Sequence, residues 1–234
     1  MKSRLTGIVL FAAIAALQCF IINSMAMEET EFGFSTMYTA AGTDSGIIQR
    51  VLFSYLPIPF ILFLAEDVIE DLVKGYNLMI IVRNYNRSLL FAKIMAKVVV
   101  ITVLSVAFIV VLSLLFGTNS IHLDVARKVN IVVFYSLVLL NTIAFDVILA
   151  LILHKKQVSN IFINIFFVVS LLLPVKGGNI VVNCIFFPKL AFAAVNGATG
   201  GIDSNPIYLQ LYLLVCFMVI CLMGQKKYKD MDIY

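Results

Sequence analysis

Long apolar runs separated by short polar segments dominate this chain. Each run is close to the length of about 20 residues that an α-helix needs to cross a bilayer. The runs are continuously apolar and do not alternate with polar residues, which favours helices over the strands of a membrane barrel. The pattern predicts an all-α, polytopic membrane protein with six transmembrane helices in a single domain, residues 1–234. The six runs are Leu5–Ala26, Ile47–Leu64, Ile94–Phe116, Ile131–Leu153, Val158–Pro174 and Ile207–Met223.

The first run allows two interpretations. It follows a short basic segment and ends near Ser24, Met25 and Ala26, a pattern that also fits a cleaved signal peptide. Its apolar part is longer than the core of a signal peptide and long enough to span a membrane. We favour a retained first span, with cleavage as the alternative.

A further apolar segment, Ile180–Val195, is the candidate for a seventh span. Pro188 and Lys189 interrupt it, and glycines and asparagines flank it on both sides. We therefore predict a re-entrant or interfacial helical segment on the extracellular side, between spans five and six.

The distribution of basic residues favours six spans over seven. With six spans, twelve of the 17 lysines and arginines fall in cytoplasmic segments, in agreement with the positive-inside rule. A seventh span would carry the cluster at Lys226, Lys227 and Lys229 outside. The prediction is a multi-pass protein of the cell membrane with both termini cytoplasmic. The twelve residues are Lys2, Arg4, Lys74, Arg83, Arg87, Lys93, Lys97, Lys155, Lys156, Lys226, Lys227 and Lys229.

Composition supports the membrane prediction and excludes other classes. Hydrophobic residues make up 62% of the chain and charged residues 13%, and the mean hydropathy is +1.04. The net charge of +4 is small and spread along the sequence, which excludes a nucleic-acid partner. The four cysteines, Cys19, Cys184, Cys216 and Cys221, show no metal-binding spacing and are predicted to act as small hydrophobic residues.

The segment Glu66–Val82 differs from the spans on either side of it. Its polar and apolar positions follow a period of about 3.6 residues, which indicates an amphipathic helix with an acidic face on the cytoplasmic surface. Basic residues at Arg83, Arg87, Lys93 and Lys97 then lead into the third span. One interpretation is that the acids solvate a loop and the bases fix orientation. The other is that a rigid surface element receives force from a soluble motor protein.

This order of acids, Gly75, apolar residues, Arg83, Arg87 and Lys93 resembles permease subunits of type-2 ABC transporters. In that family an acid precedes a glycine, and a Pro-x-Ser-Arg-like turn leads into a span that starts near a lysine. The chain departs from that turn where Asn84 replaces the proline and Asn86 replaces the serine. The resemblance covers nearly the whole chain.

The resemblance implies a permease domain whose coupling helix is moved by cytoplasmic ATP-binding subunits, and a dimer with itself or with a second permease chain. It implies alternating access, with a hydrophobic peptide such as a bacteriocin as the preferred substrate, for export or self-immunity. The expected coupling and hinge residues are Glu66, Glu70, Asp71, Gly75, Tyr76, Arg83 and Arg87.

Enzyme chemistry is not expected in this chain. It has no GxxxxGK[ST] loop for ATP phosphates, no HExxH and no GxSxG. ATP and Mg²⁺ are therefore expected on a partner subunit, with no cofactor or metal in this chain. His122 and His154 are interpreted as surface or interface residues.

Asp146 is the acid placed well within an apolar run, where charged side chains are costly and often functional. It could couple transport to an ion, which gives the alternative function of a secondary transporter or channel without an ATPase. It could also hydrogen-bond a neighbouring helix, with Asn141, Asn160 and Asn164 as possible polar partners.

Overall fold

A computed structural model describes residues 2–24, 55, 57–73, 86–116, 125–172, 185–189 and 206–230. These residues form six α-helices and one 3-10 turn, so the all-α prediction is confirmed for the described part of the chain. The helices are α1 (Lys2–Ser24), α2 (Pro57–Val73), α3 (Arg87–Phe116), α4 (Val125–Leu153), α5 (Lys156–Leu172) and α6 (Pro206–Asp230), and the turn is Phe187–Lys189.

Three helices are long and apolar enough to cross a membrane, over Arg87–Leu112, Val132–Leu153 and Ile207–Asp230. Two further apolar stretches, Thr6–Leu17 and Lys156–Ser170, are shorter. The outward faces of α3 and α6 expose large apolar side chains, as expected of helices in contact with lipid. On α6 these include Leu211, Leu214, Met218 and Leu222.

Helix α2 differs from its prediction at its C-terminal end. The second apolar run was predicted to end at Leu64, with a separate amphipathic helix from Glu66 onward. In the structure one continuous helix covers Pro57–Val73, so no helix boundary lies between Leu64 and Glu66. The acidic segment is thus an extension of α2 as far as Val73, and its remainder, residues 74–82, lies outside the described part of the chain.

Helix α4 is the centre of the bundle. Within the apolar windows of the three longest helices, 61% of α4 is buried, against 39% of α3 and 17% of α6. It packs against α2, α3, α5 and α6. The largest fully buried side chains include Phe134 and Tyr135 on α4 and Phe167 on α5. Packing against four helices accounts for the apolar side chains that α4 carries on several of its faces.

Polar side chains within the apolar helices hydrogen-bond backbone carbonyl groups one turn earlier. The hydroxyl groups of Thr102, Ser136 and Thr142 donate to Val98, Val132 and Val138 at 2.9, 2.7 and 2.8 Å. Such bonds satisfy a hydroxyl group where no water is available.

The contacts between helix ends give the directions of three helices. Near one end of the bundle, the rings of Phe91 on α3 and Tyr228 on α6 lie 5.9 Å apart. Gly224 on α6 approaches both Phe91 and Ile148, which lies towards the end of α4. At the other end, Gln210 near the start of α6 donates to Asn130 near the start of α4, at 3.2 Å. Helices α4 and α6 therefore run in one direction, and α3 runs in the opposite direction.

A short linker of His154 and Lys155 joins α4 to α5. His154 has a φ angle of 52°, in the left-handed region that residues other than glycine rarely adopt. A left-handed residue directly after the last helical residue is a common way to end a helix. This conformation reverses the chain and packs α5 against α4.

The 3-10 turn returns to the bundle and packs beside α5. Ser170 donates to the carbonyl of Phe186 at 3.0 Å, and the rings of Phe166 and Phe186 are stacked at 5.8 Å. Phe187 is buried. Residues 185–189 are the described part of the segment predicted as re-entrant, and the rest of Ile180–Val195 lies outside the described residues.

Candidate coupling and intramembrane polar sites

Basic side chains gather where α3 begins, where α4 and α5 meet, and where α6 ends. The contacts of Phe91, Ile148, Gly224 and Tyr228 bring these three places together. We call this region the basic end of the bundle. Its basic residues are Arg87, Lys155, Lys156, Lys226, Lys227 and Lys229.

Arg87, one of the predicted coupling residues, links α3 to α6 at the basic end. Its guanidinium Nη1 donates to the carbonyl oxygen of Lys229 at 2.8 Å. Carbonyl groups in the last turn of a helix lack partners within the helix and carry partial negative charge, so a cation stabilises them. The role of Arg87 in the described structure is thus to hold the end of α6 against the start of α3.

The predicted acidic coupling residues Glu66, Glu70 and Asp71 lie in the last turns of α2. Val68 of α2 and Lys97 of α3 line the same cleft, so the second half of α2 lies beside α3. Gly75, Tyr76 and Arg83 lie outside the described residues. Among the predicted coupling residues, the structure gives a contact for Arg87 and places Glu66, Glu70 and Asp71 by the course of α2.

Asp146 is buried within α4, at 3% exposure, and one of its partners is Ser159 on α5. The Ser159 hydroxyl lies 2.8 Å from the Asp146 carbonyl oxygen and also contacts the carboxylate Oδ1. The hydroxyl can donate its single proton to one oxygen at a time, and both are acceptors when the carboxyl group is ionised. The contact joins two helices across the His154–Lys155 linker.

Asn141 joins α4 to α6. Its Nδ2 donates to the carbonyl oxygen of Leu137 at 2.8 Å and to that of Leu213 at 3.0 Å. The side chain is fully buried, and its Oδ1 accepts no hydrogen bond from the described residues. The bond to Leu213 fixes the register between two parallel helices.

Asn164 belongs to a third set of contacts. The Tyr55 hydroxyl donates to Asn164 Oδ1 at 2.9 Å, and Asn164 Nδ2 donates to Asn160 Oδ1 at 2.6 Å. This set lies partly buried and connects Tyr55, just before α2, to α5.

Sequence reasoning missed Ser159 and Tyr55 as partners of the predicted polar residues. A serine in an apolar helix is a known hydrogen-bond donor between membrane helices, and that signal was present at Ser159. No comparable signal marked Tyr55, because tyrosines also occur at membrane interfaces without such partners. Within the described part of the chain, no group of three His, Cys, Asp or Glu side chains could hold a metal ion.

Comparison with known proteins matches residues 9–234 to the family described as "Protein of unknown function (DUF2705)". The chain belongs to the DUF2705 family. Among curated proteins, this DUF2705 member is similar to "Uncharacterized protein YybM" of Bacillus subtilis (strain 168), with 33% identity over 81 residues. That match covers 34% of the chain and 32% of the relative's length. No solved structure matches the DUF2705 chain.

Proposed function

We propose that this protein is the membrane-spanning permease subunit of an ATP-driven ABC transporter. The permease acts as a dimer, with itself or with a second permease chain, and cytoplasmic subunits bind and hydrolyse ATP. The acid-bearing end of α2 is the coupling element on which those subunits act. The resemblance at Gly75, Arg83, Arg87 and Lys93 motivates this proposal.

Alternating helix directions support a six-span bundle. Helices α3 and α4 run in opposite directions, and α5 turns back from α4 through a two-residue linker. Helix α6 again runs parallel to α4. In the proposed topology the basic end is cytoplasmic, because short cytoplasmic segments of membrane proteins are enriched in Lys and Arg.

The observation that carries the proposal is the continuity of α2 from its apolar part through Val73. A continuous helix transmits a displacement along its axis, whereas a flexible loop would absorb it. Its buried side chains Ile58, Ile61 and Leu62 anchor it in the core of the bundle. A force applied near Glu70 and Asp71 would therefore reach the helices that line the proposed transport path.

A hydrophobic peptide is the proposed substrate, moved outward by alternating access. The helices expose large apolar surfaces on α3 and α6, which suits a path for apolar cargo at the face between two permease chains. Export of a bacteriocin, or its expulsion for self-immunity, is the activity that we prefer.

Copurification tests this function. Gentle detergent extraction of the tagged chain from its native host should bring down a protein with a P-loop. Charge reversal at Glu70→Lys and Asp71→Lys should abolish the pairing, because both changes lie on the proposed coupling surface. The matched control is Glu28→Lys with Glu29→Lys, the same charge change between the first two predicted spans, a segment that lies outside the cell in the predicted six-span topology. Absence of an ATPase under conditions that preserve the membrane fold would contradict the proposal.

The second candidate function is ion-coupled secondary transport or a channel, and it rests on the buried Asp146. An acid inside apolar helices can bind and release a proton or cation during transport. In that case Asp146→Asn would abolish protection of cells against a hydrophobic antimicrobial peptide, and deletion of any partner ATPase would not. The ABC proposal predicts the opposite: deletion of the partner ATPase abolishes protection, and Asp146→Asn does not.

A further inference from the structure

A cleft between α1, α2 and α3 opens on the outer surface of the bundle. Its volume is about 560 Å³, within the range of about 300–1,000 Å³ typical of small-molecule sites. The walls are almost entirely apolar, with Phe11 from α1, Phe63 and Val68 from α2, and Leu104 and Phe108 from α3. Among the described side chains of the lining, Lys97 is the basic one.

The position of Lys97 along α3 places it at the edge of the hydrocarbon layer. From Lys97 to Phe116, the end of α3, the helix rises about 28 Å at 1.5 Å per residue. That length is close to the bilayer core of about 30 Å. Counted back from Phe116, Lys97 lies at the boundary of the hydrocarbon core on the basic side, and its exposed side chain is long enough to reach the headgroups.

The cleft has the depth of one leaflet. The lining of α3 extends from Lys97 to Phe108, a rise of about 16 Å, which is about half of the hydrocarbon core. A transmembrane helix of a partner protein would need an apolar groove along the full thickness of the bilayer. The cleft is too short to hold such a helix. An acyl chain that descends from a headgroup at Lys97 fits its length.

We propose that this cleft binds an anionic phospholipid of the leaflet at the basic end. One acyl chain lies between the aromatic side chains of Phe63 and Phe108, and the headgroup phosphate pairs with the Lys97 ammonium. Charge complementarity selects the occupant, because each lysine near a membrane surface favours anionic lipid. The proposal is independent of the transport function and requires no ATPase.

Tryptophan quenching tests the site with little background, because the chain contains no tryptophan. In the full-length protein, Phe108→Trp places a reporter in the cleft, and Phe63→Trp repeats the measurement from the opposite wall. Each variant is reconstituted in phosphatidylcholine vesicles with increasing brominated phosphatidylglycerol, or with brominated phosphatidylcholine as the neutral probe. We expect quenching at about fivefold lower brominated phosphatidylglycerol than brominated phosphatidylcholine, from the free energy of one lysine near an anionic surface.

The charge at Lys97 should account for that preference. Lys97→Gln should reduce it to about onefold to twofold. Lys93→Gln, which removes the same charge one turn earlier on α3 outside the cleft lining, should retain it. Three results would overturn the proposal. They are equal quenching by the two brominated lipids, an equal loss of the lipid preference in Lys97→Gln and Lys93→Gln, and shielding of both tryptophans from either lipid. Shielding would show that protein, such as a second copy or a peptide, fills the cleft.

Discussion

The two sides of the bundle are held together by different interactions. On the side of α4, α5 and α6, polar contacts cross between helices at Asn141 and at Asp146. On the side of α1, α2 and α3, aromatic packing such as the 5.8 Å contact of Phe11 with Phe108 borders an open cleft. Buried polar contacts fix one arrangement of helices, whereas apolar packing allows neighbouring side chains to adjust. We therefore expect the first side to be rigid and the second to tolerate change.

The largest effect is expected at the polar contact between α4 and α5. Ser159→Ala removes one hydrogen-bond donor beside the buried Asp146 carboxyl group, which should lower the free energy of unfolding by about 1.5–3 kcal/mol. Ser136→Ala is the matched control, because its hydroxyl bonds only a carbonyl of its own helix among the described contacts. Thermal unfolding in detergent measures both. Equal effects of the two changes would contradict a special role for the contact between helices.

Two glycines of the described helices lie against aromatic rings, Gly224 where α6 meets α3 and α4, and Gly7 where α1 meets α2. A Cβ atom at Gly224 would lie 2.6 Å from the Phe91 ring, which is 3% exposed and cannot move aside. At Gly7 the same atom would lie 2.6 Å from Phe63, which is 42% exposed and can rotate outward. Gly224→Ala should therefore cost about 1–3 kcal/mol, and Gly7→Ala distinctly less. Thermal unfolding of the pair in one detergent checks the order, and a larger loss at Gly7 would refute the comparison.

A glycine in place of His154, in the linker between α4 and α5, should increase the stability of the fold. The left-handed conformation of His154 costs a residue with a side chain about 1 kcal/mol relative to glycine. His154→Gly should raise the midpoint of thermal unfolding, and His154→Val should lower it because a β-branched residue is least suited to this conformation. If His154→Gly lowers the midpoint instead, the His154 side chain makes a contact that stabilises the protein by more than its backbone strain costs.

The smallest effect is expected at Arg87. Its bond to the Lys229 carbonyl is solvent-exposed, so Arg87→Ala should cost less than about 1 kcal/mol. Hydrogen exchange of the last turn of α6 should nevertheless increase, since that turn loses its cap. Unchanged exchange there would show that the bond does not hold the helix end.

Much of the helix arrangement is predictable from the sequence, because each apolar run is long enough to be recognised alone. The run Ile131–Leu153 lies within α4 and shares its end at Leu153, and the run Ile207–Met223 lies within α6. The predicted boundaries are less accurate where a helix continues into a polar segment. Helix α3 begins at Arg87 and not at Ile94, since a polar helical turn outside the apolar region carries no hydropathy signal.

The contacts of the candidate sites were less predictable. Arg87 and Lys229 are 142 positions apart, so their contact depends on the packing of α3 against α6. Asp146 was recognisable as unusual from its apolar surroundings, but its partner Ser159 depends on the angle at which α5 leaves the linker. Hydropathy identifies the helices, and only their packing identifies the partners.

The side of the membrane on which the acidic end of α2 lies decides whether a cytoplasmic ATPase can reach it. In a variant that lacks Cys19, Cys184, Cys216 and Cys221, single cysteines are introduced by Asp71→Cys, Lys155→Cys and Val129→Cys. A membrane-impermeant thiol reagent is then applied to intact and to permeabilised cells. We predict that the Val129→Cys variant reacts in intact cells. The Asp71→Cys and Lys155→Cys variants should react only after permeabilisation. Reaction of position 71 in intact cells would contradict the account, because the acidic end of α2 would then be out of reach of a cytoplasmic ATPase.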